Sequence, residues 1–364
     1  MAARLQDIEW GEPLLPVVPD PAWEVEVRRR GGQVTKADRM IAPCPWLREA
    51  SFGITHYRPR AMPARLFQLG ALITSQENAC RYCYGANRAF MKILGFSETV
   101  IQRIEHDLHV AELDDQERGF VAFCRSLARS RPRPTRAARD AMVAMGYSRL
   151  AVDEMAFAIS MGCFFNRVTT FMACPPENDL ERIGNGPIGR VLGWMAPMRR
   201  MVSKLRRPAA RDDAPGADML AGGLFGPILV PLAGLPAARV MRDALDGAFA
   251  PSAISHGTKS LVFAIVARTL GCGHCEAEAR SLLQANGMSE TRIDQALATL
   301  RCDGLSGAET PILPWARGTV HYDTGEVQRA TRAMAGAVGN TVVLEAIGIA
   351  ALANAVVRLA MLQE

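Results

Sequence analysis

From Cys83 onward the apolar and small residues fall at Cys83, Ala86, Phe90, Ile93 and Leu94. These steps of three and four place them on one face of a helix. Gly95 follows where a left-handed C-terminal cap belongs. Ser97 opens the next helix, with Val100, Ile101, Ile104 and Leu108 inward, and Ser289 with Ile293 and Leu297 repeats the device. Asp114 with Glu117, and Ser306 with Glu309, have the spacing of a capping box and predict two further helix starts. Pro132 and Pro134 break the chain, Gly146 ends the following helix, and Val152 to Met172 is long and apolar enough for a buried central helix. Alternation bounded by turn residues, the mark of strands, is nearly absent. The pattern predicts an all-α fold.

Sliding the chain along itself brings Cys80 and Cys83 onto Cys272 and Cys275. The same shift sets Gly95, Ser97, Glu98 and Thr99 on Gly287, Ser289, Glu290 and Thr291, and Leu113 and Glu117 on Leu305 and Glu309. Small gaps then bring Gly146 to Gly339, Glu154 to Glu345 and Arg167 to Arg358. One unit therefore occurs twice, over about 62–172 and 254–362. The predicted layout is an arm over 1–61, a first domain over 62–174, a linker and arm over 175–253 and a second domain over 254–364. Each domain should hold about five or six helices, the two related by a pseudo-twofold axis.

Composition changes this picture little. A chain of 364 residues with 49% hydrophobic and 22% charged residues is long enough for about two globular units and too apolar for a disordered chain. Its net charge of +5 is too small and scattered for a nucleic-acid groove. The basic excess gathers between Arg190 and Arg211, a composition that suits contact with a phosphate or an anionic lipid but is first expected of a solvated linker. Met219 to Leu235 is apolar but interrupted by Pro227, Pro231 and several glycines, which predicts a packed arm rather than a bilayer span. Asp7 and Glu9 precede breaks at Pro13 and Pro16, unlike a targeting peptide, so a cytoplasmic protein without a membrane or nucleic-acid partner is expected.

Nine cysteines stand at 44, 80, 83, 124, 163, 174, 272, 275 and 302. Most are single residues in apolar helical surroundings and read as small buried hydrophobes. The pairs Cys80/Cys83 and Cys272/Cys275 differ, because their CxxC spacing falls at a helix N-terminus, where free amides and the helix dipole stabilise a thiolate. The spacing also lets a sulfenic acid on one sulfur be trapped by the other as a disulfide. A zinc site would need the two distant pairs to meet, and purely structural pairs are the other alternative. His56, His106, His109, His256 and His321 have no metal-ligand spacing; Glu77 reads as a solvated helix-end acid, and Tyr82 and Tyr84 as packing residues. There is no G-x-G-x-x-G, P-loop or nucleophile-elbow pattern, so neither a cofactor nor a metal is expected.

A helical repeat carrying CxxC, a G-x-S-E turn, an L-x-x-x-E capping box and the late pair Asn166-Arg167 resembles the carboxymuconolactone decarboxylase family. The resemblance is to its alkylhydroperoxidase D-like branch in a tandem two-domain form, and it covers both repeats but not the arms or the linker. It implies a compact all-α domain that forms homo-oligomers. It also implies reduction of a hydroperoxide by the CxxC, with Cys83 and Cys275 attacking, Cys80 and Cys272 resolving, and a dithiol reductant protein restoring the pairs. The family's activating Glu and His fall on Gln68 and Asn87 in the first copy and on Ser260 and Ala279 in the second. Gln68 and Asn87 are candidates for positioning a water but cannot accept a proton near neutral pH, which implies slow turnover. His274 is a candidate base within the second motif, and Lys259 a candidate source of positive charge. The decarboxylase side of the family implies an alternative, a lyase or isomerase on a small carboxylate held by Arg81, Arg88 and Lys259. A catalytically inactive oligomer is a third expectation.

Overall fold

The computed structural model describes residues 5–106, 113–187, 189, 191 and 214–364, so Leu108, His109 and nearly all of the basic segment 190–211 lie outside the described residues. Among those described there are α-helices and short 3-10 turns but no strand, in agreement with the all-α prediction. Three helices form the N-terminal arm, α1 (Pro21–Arg29), α2 (Lys36–Ile41) and α3 (Pro45–Thr55). A first set follows with α4 (Ala64–Glu77), α5 (Arg81–Ile93), α6 (Glu98–His106), α7 (Asp115–Arg129), α8 (Arg136–Ala144) and α9 (Arg149–Phe171). Then come α10 (Asn178–Asn185), α11 (Ala217–Ala221), α12 (Gly226–Leu229) and α13 (Pro236–Phe249). The second set is α14 (His256–Leu270), α15 (Gly273–Ala285), α16 (Glu290–Thr299), α17 (Ile312–Gly318), α18 (Thr324–Val338) and α19 (Asn340–Met361).

The local signals act largely as read. Ser97 Oγ accepts the Val100 amide at 3.2 Å and Ser289 Oγ the Arg292 amide at 3.4 Å. Gly95 and Gly287 adopt φ values of 93° and 82°, the left-handed backbone that closes the preceding helices. Asp114 caps α7 by accepting the Glu117 amide at 2.7 Å, while the Glu117 carboxylate turns to Arg65 at 2.6 Å instead of closing a box. The start predicted at Ser306 is corrected. Residues 306–311 make turns, and α17 begins only at Ile312, because Pro311 disfavours helical backbone at Thr310 and carries no N–H. The Glu309 carboxylate does reach back to Ser306, accepting its amide at 3.3 Å and its hydroxyl at 2.9 Å, and also accepts the Ser255 amide at 2.7 Å, tying this turn to the cap of α14.

The two sets run in the same order and carry left-handed residues at matching places, Ala79 with Gly271, Gly95 with Gly287 and Gly146 with Gly339. At the centre α9 packs along α19, and one continuous core draws on both sets. Helix α19 is long and apolar enough to cross a membrane, yet 94% of its apolar window is buried inside the fold, so it serves as a core helix here. The segment 219–235 is a packed arm of short helices with Phe225, Leu229, Leu232 and Leu235 buried, as its prolines and glycines predict. Helices α3 and α13, each just before its set, pack on one another where Gly53 faces Val240 and Gly247 faces Trp46.

Two buried carboxylates at matching positions fasten the entry to each set. Glu154 accepts the Tyr57 hydroxyl and the amides of Arg60, Ala61 and Met62 at 2.8, 2.6 and 2.6 Å. Glu345 accepts the Ser252 hydroxyl and the Ile254 amide and pairs with Lys259 Nζ at 3.1 Å. Lys259, 1% exposed, also donates to Ala250 O and Ser252 Oγ, each at 2.7 Å. The expectation that Lys259 supplies charge to the cysteines is therefore corrected, since its ammonium is spent on a structural ion pair.

Candidate active site at two helix N-termini

Each CxxC is delivered by the same backbone device. Helix α4 ends, Ala79 turns left-handed at φ 46°, and Cys80 becomes the N-cap of α5. Helix α14 ends, Gly271 turns at φ 73°, and Cys272 caps α15. An N-cap side chain accepts from the amide three residues on. Here Cys80 Sγ accepts the Cys83 amide and Cys272 Sγ the Cys275 amide, both at 3.4 Å. All four sulfurs are buried free thiols.

The geometry separates the two members of each pair. Burial opposes ionisation of Cys80, but bonds from the Cys83 side chain, Thr169, Thr170 and the Cys83 amide outweigh it and lower the thiol to about 7. At Cys272 the Cys275 side chain is the largest influence; with the Cys275 amide and the Arg133 charge it overcomes burial and sets the thiol at about 7. Cys83 and Cys275 are pushed well above the ordinary thiol range, first by burial and then by the neighbouring cysteine. These directions and the N-cap geometry favour the anion at the first cysteine of each pair, whereas the resemblance implies attack by Cys83 and Cys275.

The first pair is roofed over. From α9, Thr169 Oγ1 lies 3.2 Å from Cys80 Sγ and 3.4 Å from Cys83 Sγ. Helix α10 lies across α5, where Glu181 grips Arg81 through both carboxylate oxygens at 2.7 and 2.9 Å and Glu177 accepts the Tyr82 hydroxyl at 3.0 Å. The arm adds Trp10 Nε1 on Cys174 O at 3.0 Å. From the second set, Tyr322 donates to Asn78 O at 3.0 Å and Thr324 to Ala79 O at 3.3 Å, clamping the turn before Cys80.

The second pair is as deeply buried, each cysteine at 1% exposure, but its neighbours are open. Gly273 and His274 are exposed beside Cys272. The Glu364 carboxylate lies 3.3 Å from Cys272 Sγ, accepts the His274 amide at 2.9 Å, and pairs with Arg133 from the first set.

The remaining candidates divide. Gln68 is half-buried on α4 and bonds to neither cysteine among the described residues. Asn87 donates to Ala71 O at 3.1 Å and Ser75 Oγ at 3.0 Å, fastening α5 to α4. That bond opens a buried chain in which the Asn166 amide lies 3.2 Å from Ser75 Oγ and 3.1 Å from Asn78, and Arg167 donates to Asn78 Oδ1 at 3.2 Å. The His274 side chain points to solvent, and only its backbone enters the site. Arg88 pairs with Glu98 and with Glu105 at 2.8 Å, and Glu77 is a buried partner of Arg125 at 3.0 Å and of Arg129. Among the described residues no three His, Cys, Asp or Glu side chains converge on a metal position. Sequence reasoning missed Thr169, Arg133, Tyr322 and Glu364. Only Thr169 carried a local signal, its place one turn after Asn166 on the same face of α9.

The carboxymuconolactone decarboxylase family model matches residues 236–318, from α13 through both cysteines of the second motif to α17. No curated protein and no solved structure matches the chain. The helical order, the CxxC at the start of α15 and the family match converge on one conclusion: the segment 236–318 belongs to the carboxymuconolactone decarboxylase family.

Proposed function

We propose that the protein is a CxxC-dependent thiol peroxidase of the alkylhydroperoxidase D-like kind, with Cys80 and Cys272 as the attacking sulfurs. The observation that carries this reading is the placement of each first cysteine as a helix N-cap whose sulfur accepts the amide of the second. A sulfur so held is stabilised as the anion, the nucleophilic form, by the amide and by the helix dipole. The thiolate attacks a peroxide oxygen, so that an S–O bond forms, the O–O bond breaks and the leaving alkoxide takes up a proton. The sulfenic acid is then attacked by the second cysteine, Cys83 or Cys275, water leaves with the thiol proton, and a disulfide remains. A dithiol reductant protein returns the pair to thiols by exchange.

The matching helix order and left-handed positions support two homologous units from an internal duplication, 62–174 and 254–364. The family match begins earlier than the second unit, at Pro236 in α13. The lyase reading loses its cationic pocket, because Arg81, Arg88 and Lys259 are each paired with carboxylates.

Intact-mass thiol counting before and after one equivalent of cumene hydroperoxide tests the function. Two thiols should be lost per working pair. Cys272→Ser should abolish the loss at the second pair, while Cys275→Ser should leave a sulfenic acid on Cys272 that dimedone traps. Unchanged thiols in the wild type would refute the reading.

A further inference from the structure

We propose that Glu364 is the proton shuttle of the second dithiol, taking the proton from Cys272 and handing it to the leaving oxygen of the peroxide. The inference rests on the thiol peroxidase reading and adds to it the residue that moves the proton. Neither Ser260 nor Ala279, at the positions where the resemblance implies a relay, can do so. Ser260 is moreover occupied, donating to His256 O at 3.0 Å.

Three observations place Glu364 in that role. Its Oε1 lies 3.3 Å from Cys272 Sγ, within reach of a thiol hydrogen, and no other carboxylate among the described residues contacts a motif cysteine. The same oxygen accepts the His274 amide at 2.9 Å, so the carboxylate rests at the mouth of α15 directly beside the sulfur. The other oxygen is paired with Arg133, and the backbone around it is tied down by Arg136 N to Glu364 O at 3.0 Å, Arg136 Nη2 to Gln363 O at 2.5 Å and Gln363 Nε2 to Ile228 O at 2.9 Å. Arg133 also balances charge, since a thiolate beside an unpaired carboxylate would be disfavoured, whereas thiol, carboxylate and guanidinium sharing one mobile proton remain neutral as a group.

The step balances. The Cys272 S–H proton passes to Glu364, the sulfur attacks one peroxide oxygen as the O–O bond breaks, and the protonated Glu364 gives its hydrogen to the departing alkoxide. Sulfur is oxidised by two electrons to the sulfenic acid, the peroxide is reduced to alcohol, and Glu364 ends as the carboxylate it was.

The test compares full-length wild type, Glu364→Gln and Glu364→Asp in two reactions read by mass at Cys272. Oxidation by cumene hydroperoxide at pH 7 needs a proton at the leaving oxygen. Alkylation by iodoacetamide at pH 9.5 needs none, because the thiol is already ionised and iodide leaves unprotonated. Glu364→Gln should slow oxidation by about 100-fold, leave alkylation within about twofold, and leave oxidation of Cys80 in the same molecule unchanged; Glu364→Asp should recover part of the loss. Equal oxidation rates in Glu364→Gln and wild type overturn the shuttle alone. A parallel loss in both reactions makes Glu364 a structural tie and also overturns it. No oxidation of Cys272 in the wild type overturns the peroxidase reading and the shuttle with it.

Discussion

Arg167 and Arg358 occupy matching positions on the two central helices, at 1% and 0% exposure, and the structure predicts opposite consequences of replacing them with methionine. Arg167 is fully partnered across the two sets. Its Nε donates to Thr319 O at 3.1 Å, Nη2 to Val320 O at 3.0 Å and Nη1 to Asn78 Oδ1 at 3.2 Å, and the guanidinium stands 5.3 Å from the centre of the Tyr322 ring. Among the described residues Arg358 bonds only to its own helix, at Asn354 O and Oδ1, and its Nε and Nη2 are buried without a partner there. Burial, and then the like charge of Arg167, pulls the Arg358 guanidinium well below its ordinary pKa, as for a cation held without a counter-charge.

Arg167→Met leaves buried acceptors at Thr319, Val320 and Asn78 unpaired. At about 1–3 kcal/mol for each orphaned group, less the desolvation of the charge removed, the expected loss is about 3–5 kcal/mol. Arg358→Met orphans only the Asn354 side chain and removes two unpartnered donors and a repulsion. It should lie between about 1 kcal/mol destabilising and about 2 kcal/mol stabilising. Urea unfolding followed by helical circular dichroism measures both, with Arg358→Met near or above the wild-type midpoint and Arg167→Met far below it. Equal and large losses in the two variants would refute the assignment of Arg358 as an uncompensated cation.

The different covers over the two dithiols predict that iodoacetamide modifies Cys272 before Cys80, with a pH midpoint near 7 that moves up toward the ordinary thiol value in Cys275→Ala, where the largest stabilising bond is gone; peptide-resolved mass spectrometry reads both, and faster labelling of Cys80 would contradict the roofed geometry. The left-handed turns before the motifs predict opposite signs for reciprocal substitutions. Gly271→Ala has open space for its Cβ and should cost only the backbone strain, about 1 kcal/mol, whereas Ala79→Gly should be neutral or stabilising by up to about 1 kcal/mol, each read from the thermal midpoint.

What was legible in the sequence was local. Ser97, Ser289 and Asp114 announce helix starts because a cap is made between residues three apart, and Gly95 and Gly287 announce ends because a left-handed residue suits glycine. Ser306 misled because its box spacing is present while Pro311 governs where the helix can begin. The N-cap placement was within reach, since a helix start at the first cysteine makes it the cap and the second cysteine its donor, whereas the resemblance implies attack by the second sulfur. The pairing of Glu154 with Glu345 was visible as a match, and its meaning, a carboxylate pinning the loop ahead of each set, needed coordinates. Glu364 and Arg133 meet Cys272 across the length of the chain and left no periodic trace.

Those long contacts share a pattern. The turn before Cys80 is clamped by Tyr322 and Thr324 from the second set, and the carboxylate beside Cys272 is held by Arg133 from the first. Arg167 crosses the same boundary to Thr319 and Val320, the residues just ahead of Tyr322, and joins that clamp to the Asn78 network behind Cys80. Each dithiol is thus framed in part by the half of the molecule that does not carry it. The frames also differ in kind. A hydroxyl from Thr169 under the roof of α10 serves the first pair, and a carboxylate at an open helix mouth serves the second. With the same backbone device presenting both, the polar group beside each sulfur comes from its own half, Thr169 or Glu364, while the opposite half holds the surroundings in place, which is why two equal motifs need not be equally reactive.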